Sequence, residues 1–383
     1  NMGECGSLEN LDGVSATDGF PRRHCEICGM VSGVFREMTA PEIQVADHSA
    51  KQKLGTLEVG RGLAALAVVA GHAGLSSDAF TSSNYGSMFS FGIYGVDFFF
   101  VLSGFIIYHI HQNDPREVGA ARRFLSKRIR RIYTPYLPIT LALIAAYLLF
   151  PGLSQGDRSW GWFTSVTLMP SNSPTALSVA WTLTFEMVFY LFFLSFFVTR
   201  YFWKIVLAWV VLVLGVAVFD LHDTISNPIV GTVLHPLILE FVAGMVAAHL
   251  FGKISPARWW VPLCVGLLGV VAFALLHDPH RVVLGIALAP FVLGLALFEQ
   301  RYSVKISNSW ALLGASSYAV YLIHNPLQSI IARLFQAYDN WSLTFAACIL
   351  ISFAAGVFYH LIYERPMLRT LSRKQGARVP SNI

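Results

Sequence analysis

Ten apolar segments, each about as long as a membrane-spanning helix, constrain this chain more than any other feature of its sequence. A helix needs roughly 20 mainly apolar residues to cross a bilayer, where its backbone groups must be satisfied internally. The segments therefore predict an all-α fold, a polytopic membrane helix bundle with about ten transmembrane helices. They lie at about 57–77, 88–109, 132–150, 179–199, 202–219, 230–251, 259–277, 282–298, 310–335 and 342–363.

The composition supports a membrane protein and argues against a nucleic-acid partner. Only 13% of the residues are charged, whereas soluble domains carry about a quarter. The formal net charge of +5 is better explained by orientation, because loops on the cytoplasmic side of a membrane carry an excess of Lys and Arg. The partner that these numbers indicate is a lipid bilayer.

The positions of the basic residues predict which way the bundle faces. Seven Lys or Arg residues lie from Arg116 to Arg131, so this loop is expected in the cytoplasm. Counting outward from it places both termini in the cytoplasm and leaves only Arg158 and Arg281 in the loops on the opposite side.

Three regions follow from this pattern. Residues 1–53 are predicted to be a polar cytoplasmic N-terminal extension, 54–370 the transmembrane domain, and 371–383 a basic C-terminal tail. The extension contains Cys25 and Cys28 as a CxxC pair. A zinc site would need a second pair of ligands at suitable spacing, so we expect no metal site.

Four ionisable residues inside the apolar segments are candidates for function: His72, Asp97, Glu186 and His324. Such residues are costly in a membrane and usually face the bundle interior or a water-filled cavity. One shared polar cavity would cost less than four isolated charges, so we expect the four to meet. Arg61 lies eleven residues before His72 on the same face of a helix, with a rise of about 16 Å between them.

Basic residues at the start of the third segment allow two interpretations. Arg128, Arg130 and Arg131 can simply anchor the helix at the cytoplasmic surface. Clustered arginines can also clamp phosphate groups through paired hydrogen bonds. The pattern alone leaves both open.

Several motifs in order along the chain resemble the acyltransferase-3 family of integral-membrane acyltransferases, which includes bacterial O-antigen and exopolysaccharide O-acetylases. The resemblance covers about residues 54–370. The motifs are Arg61-x10-His72, YGVDFFFVLSGFII at 94–107, RIRRIYTPY at 128–136, AWTLTFEMVFY at 180–190, SSYAVYLIHNP at 316–326 and YERP at 363–366.

The resemblance implies an enzyme that transfers an acyl group, most often acetyl, from cytoplasmic acyl-CoA to a hydroxyl of a glycan. It implies a catalytic role for His72, and we expect Glu186 or Asp97 to assist it. Acetyl-CoA is expected as a substrate, with no permanently bound cofactor. Its phosphates are predicted to bind Arg61, Arg128 and Arg131. The predicted acceptor-binding residues are Trp181, Tyr318, Tyr321, His324 and Asn325.

The family also implies a location in the bacterial inner membrane. The sequence leaves open the acceptor, the acyl donor and the alternative of a transporter. The acceptor can be an exopolysaccharide, an O-antigen, a lipid-linked sugar or a small metabolite, and the donor can be succinyl-CoA. A transporter of a sugar derivative or lipid would also need intramembrane charges. The remaining histidines, at segment ends or in loops, are expected to take no part in chemistry: His109, His111, His222, His235, His249, His277, His280 and His360.

Overall fold

The computed structural model describes residues 54–150, 160–276 and 281–376, with side chains as far as residue 373. The predicted extension at 1–53 with its CxxC pair, Arg158 and residues 377–383 lie outside these ranges. All regular structure within the described ranges is helical, which confirms the all-α fold. The α-helices are α1 (Gly55–Phe80), α2 (Gly95–His111), α3 (Val118–Leu149), α4 (Trp162–Thr167), α5 (Trp181–Phe193), α6 (Ser195–Val198), α7 (Phe202–Val218), α8 (Pro228–Val233), α9 (Ile238–Phe251), α10 (Trp260–Leu276), α11 (Arg281–Tyr302), α12 (Asn308–Phe335), α13 (Trp341–Tyr359) and α14 (Arg365–Gly376).

Eight helical segments in the described part of the chain are long and apolar enough to cross a membrane. They are Gly55–Phe80, Gly86–His111, Val118–Leu149, Ser178–Val198, Pro228–Phe251, Pro256–Leu276, Arg281–Tyr302 and Trp341–Arg373. The other two predicted spans are also helical. Of these, α7 is apolar but has only 17 residues, and α12 has 28 residues but carries several polar side chains. These two remain predicted spans.

Helix α1 lies among several partners, and their backbones approach it closely. It packs against α2, α11, α12, α13 and the short helical segment Gly86–Tyr94. A Cβ atom on Gly92 would collide with the carbonyl oxygen of Ala67. The small residues of α1 therefore serve close helix packing, as glycine and alanine commonly do between membrane helices.

A carboxylate from another helix caps the first turn of α1. Glu299 of α11 accepts hydrogen bonds from the backbone N–H groups of Gly55 at 2.6 Å and Thr56 at 2.8 Å. The first N–H groups of a helix have no partner within it, so this carboxylate satisfies two of them. The contact fixes the height of α1 against α11, and with it the heights of Arg61 and His72.

A π-helical turn separates the last two helices of the described chain. After α13, residues His360–Glu364 form a π-helical turn. Helix α14 then continues to Gly376, so the first residues of the predicted tail at 371–383 are helical. π-Helical turns often occur at functional positions, and this one directs Glu364 into the bundle, where it is 5% exposed.

Candidate active site

Two histidines from different helices meet inside the bundle. The rings of His72 on α1 and His324 on α12 lie with centroids 5.0 Å apart and planes at 70°. His324 is fully buried, and His72 is partly buried. The structure thus brings together two of the four ionisable residues that the sequence singled out.

The hydrogen bonds of the two rings define which nitrogen carries the proton. His72 Nδ1 lies 3.0 Å from the carbonyl oxygen of Val68, and His324 Nδ1 lies 2.7 Å from that of Tyr321. A carbonyl oxygen only accepts, so each Nδ1 must donate. In the neutral rings both Nε2 atoms therefore carry a lone pair. His324 Nε2 is buried and has no hydrogen-bond partner among the described residues.

Polar residues of α12 around His324 are bonded to the start of α5. The hydroxyl of Tyr321 lies 2.8 Å from Thr182 Oγ1 and donates to the carbonyl of Val179 at 3.0 Å. Asn325 Oδ1 accepts from Ser178 Oγ at 2.8 Å. Tyr321 and Asn325, predicted to bind the acceptor, thus hold α12 against α5 in this structure.

The remaining predicted acceptor residues lie in different surroundings. The hydroxyl of Tyr318 donates to the carbonyl of Ile132 on α3 at 3.2 Å. Trp181 is 37% exposed at the start of α5, and its ring lies 5.8 Å from the guanidinium of Arg281. Of the predicted set, His324 has a buried ring nitrogen without a hydrogen-bond partner among the described residues, and its ring packs on that of His72.

Glu186 and Asp97, the predicted helpers of His72, each have other partners. Glu186 accepts from Ser103 Oγ at 3.2 Å and from the hydroxyl of Tyr190. Asp97 is fully buried and forms a two-point ion pair with Arg281 of α11, at 2.7 and 3.3 Å.

The four predicted residues consequently do not form one cluster. Neither Asp97 nor Glu186 is hydrogen-bonded to His72 in the described part of the chain. The carbonyl of Val68 orients the imidazole instead. The side-chain contacts instead form a histidine pair and two separate carboxylate networks: Asp97 is bonded to Arg281 of α11, and Glu186 to Ser103 of α2 and to Tyr190 of its own helix.

Three arginines gather at the other end of α1, and we call Arg61, Arg128 and Arg131 the arginine cluster. Arg61 Nη2 donates to Ser317 Oγ on α12 at 3.1 Å. Arg61 and Arg128 each lie within electrostatic range of Arg131 and of Glu186.

Aromatic and acidic neighbours support this cluster. The guanidinium of Arg128 lies over the rings of Phe124 and Tyr190, at 5.6 and 5.8 Å from their centroids. Glu364 of the π-helical turn lies within electrostatic range of Arg61 and is paired with His360 at 2.8 Å. Three cations are thus held close together, an arrangement suited to an anionic ligand.

Sequence reasoning missed two charged residues of the buried interior. Arg281 pairs with Asp97, and Glu240 of α9 is fully buried within electrostatic range of both. Each had a signal. Glu240 interrupts the apolar stretch ILEFVAGMV, and Arg281 lies on the side of the bundle where basic residues are rare.

Comparison with known proteins accounts for these motifs. A family model described as "Acyltransferase domain", of the acyltransferase-3 type, matches residues 54–361. The chain belongs to this family. It is therefore an integral-membrane acyltransferase by family, with the membrane-spanning helices that the family requires.

A curated relative extends the comparison over most of the chain. The exopolysaccharide production protein ExoZ of Rhizobium meliloti (strain 1021) is 31% identical over 322 residues, which are 78% of this chain and 95% of that protein. No solved structure matches the chain.

Proposed function

We propose that this protein transfers an acyl group, most often acetyl, from acyl-CoA bound at the cytoplasmic face to a hydroxyl of a glycan. The observation that carries the proposal is the His72–His324 pair, in which both Nε2 atoms are free to accept protons or hydrogen bonds. The 31% identity to an exopolysaccharide production protein favours an exopolysaccharide as the acceptor and a bacterial inner membrane as the location.

The arginine cluster binds the donor. The phosphates of acyl-CoA pair with Arg61, Arg128 and Arg131, since guanidinium groups bind phosphate oxygens through paired hydrogen bonds. Arg61 and His72 are separated by about 16 Å along α1. This distance is comparable to an extended pantetheine arm, so the thioester reaches His72 while the nucleotide stays at the membrane surface.

His72 acts as the general base. Its Nε2 takes the proton of the acceptor hydroxyl while the hydroxyl oxygen attacks the thioester carbonyl. The carbon–sulfur bond then breaks, and the imidazolium returns the proton to the CoA thiolate, leaving an ester and free CoA. His324 Nε2, buried and without a partner, accepts a hydrogen bond from the bound acceptor and helps to position it.

The test uses full-length protein purified in detergent, where both faces of the bundle are accessible, with acetyl-CoA labelled in the acetyl group. The acceptor is the exopolysaccharide of the host cell after mild base has removed its ester groups. The native chain should move label into the glycan. His72→Ala should bind acetyl-CoA with unchanged Kd and transfer at least about a hundredfold less, within the range of general base catalysis.

Matched variants separate the roles. His249→Ala removes a histidine that is bonded to Tyr108 and Lys253, outside the proposed chemistry, and should retain transfer. Full transfer by His72→Ala would refute the mechanism. Native protein that binds acetyl-CoA but never labels the glycan would refute the proposed function, and preferential transfer from succinyl-CoA would change the donor assignment.

A further inference from the structure

A cavity of about 370 Å³ lies beside the first turns of α5 and the segment that leads into α9. Its size falls within the range of small-molecule sites, about 300–1,000 Å³. Its wall combines polar side chains with apolar ones, the latter from Phe185, Ile225 and Pro228. The residues that matter here are Asn172, Phe185, His222, Asp223, Thr232 and His235.

Two of these residues form a second histidine pair. The rings of His222 and His235 lie with centroids 5.1 Å apart and planes at 89°. His235 Nδ1 accepts a hydrogen bond from the backbone N–H of Leu237 at 3.2 Å, so its Nε2 carries the proton in the neutral ring. His222 Nε2 is buried and has no hydrogen-bond partner among the described residues. The pair therefore has hydrogen-bonding capacity that the protein itself leaves unused.

The cavity and the candidate active site share helix α5. Phe185 lies in the cavity wall, with its ring 5.1 Å from that of His235 and 5.9 Å from that of Trp181. One turn earlier on the same helix, Thr182 is bonded to Tyr321, whose ring lies 5.7 Å from that of His324. Side-chain contacts through this helix therefore connect the two places.

The wall chemistry selects the class of ligand. No Lys or Arg is among the described residues that line the cavity, and Asp223 would repel phosphate, so the donor nucleotide does not fit. Carboxylate, amide, hydroxyl and imidazole groups suit the many hydroxyls of a sugar, and the ring of Phe185 suits the apolar face of a sugar ring. A lipid tail would not use the polar groups.

We propose that this cavity binds a sugar unit of the acceptor glycan, a neighbour of the unit that receives the acyl group. This inference rests on the proposed function and adds a site for acceptor recognition. It gives His222 and His235 a role in binding, whereas the sequence predicted none in chemistry.

The experiment measures transfer by the detergent-purified protein with varied concentrations of the de-acylated exopolysaccharide. His222→Ala and His235→Ala should each raise the KM for the glycan about tenfold, as expected for the loss of a hydrogen bond to bound substrate. The KM for acetyl-CoA should stay unchanged, because the donor binds elsewhere. Ser226→Ala, in the same loop but outside the wall, should leave both constants unchanged.

A second measurement does not depend on the folding of any variant. Oligosaccharides from the de-acylated glycan should slow hydrogen–deuterium exchange of the peptide at 220–237 in the native protein, and unrelated dextran fragments should not. Unchanged glycan KM in both histidine variants, or no protection of this peptide, would overturn the inference. Because native transfer would persist in either case, these results are distinct from failure of the proposed function.

Discussion

The buried charge of Asp97 is paired with a residue of another helix. The side chain of Asp97 is fully buried and meets Arg281, whose side chain is 28% exposed, in a two-point ion pair. The guanidinium also lies 5.3 Å from the centre of the Tyr94 ring. Removing one partner of such a pair leaves an uncompensated buried charge, which costs far more than losing an exposed pair.

Asp97→Asn is therefore expected to destabilise the protein by about 3–5 kcal/mol, seen as a lower Tm in detergent. The control is Arg123→Ala, which breaks the exposed pair with Glu117 at 2.8 Å and should cost about 0–1 kcal/mol. Equal effects of the two variants would contradict the structural role. A normally folded Asp97→Asn protein without transfer activity would instead support the predicted catalytic role.

Arg61 is the member of the arginine cluster that lies on α1, the helix that also carries His72. Arg61→Ala is expected to raise the Kd for CoA about 10- to 100-fold, because a hydrogen bond to a charged group contributes about 1.5–3 kcal/mol. Titration calorimetry on purified protein measures this. Arg122→Ala removes an exposed arginine of the same basic segment and should have little effect. An unchanged Kd with lost transfer would place Arg61 in the chemical step.

At the scale of elements, two glycines set how closely α2 and α9 cross. A Cβ atom on Gly104 would collide with the carbonyl oxygen of Phe241, and one on Gly244 would collide with that of Val101. The obstacle is backbone in both cases, so a side-chain rotation cannot relieve it. This crossing also sets the position of Asp97 and Ser103, both on α2.

Gly104→Ala should consequently separate α2 from α9 and greatly lower the yield of folded protein, measured by size-exclusion chromatography and Tm. Gly215→Ala on α7 is the matched control, since nothing lies within 4 Å of its added Cβ. Alanine is favoured over glycine in a helix interior by about 0.5–1 kcal/mol. This variant should be as stable as the native chain or more so, and equal behaviour of the two variants would contradict the packing argument.

For the molecule as a whole, the direction of α1 gives the bundle two chemically different ends. The arginine cluster lies toward the end where α1 begins, and the histidine pair lies toward the end where it finishes. The basic residues predict that the arginine end faces the cytoplasm. In that orientation, the proposed donor and the proposed acceptor would approach the same histidine pair from opposite sides of the membrane.

Cysteine labelling tests this orientation. In a chain whose own cysteines have been replaced, Ser87→Cys should react with a membrane-impermeant maleimide on intact cells, because the exposed residue 87 lies at the histidine end. Lys127→Cys, exposed at the arginine end, should react only after the inner membrane is opened. The reverse pattern would invert the topology and the assignment of the donor side.

The sequence by itself determined the helical fold, the positions of most membrane segments and the ionisable residues that are candidates for function. Apolar length and helical spacing are local properties, and a charge within an apolar segment is visible without any knowledge of its neighbours. For this reason Arg61, His72, Asp97, Glu186 and His324 could all be selected from the chain alone, as could the arginine-rich start of α3.

Only the tertiary structure decided which of these residues meet. His72 faces His324 rather than a carboxylate, Asp97 is bound by Arg281, and Glu186 accepts from Ser103. These partners depend on the rotation and height of each helix. Contacts between distant segments set both, such as the cap of Glu299 on α1 and the glycine crossing of α2 with α9. A one-dimensional pattern contains no information on such contacts, because they arise only when the helices pack.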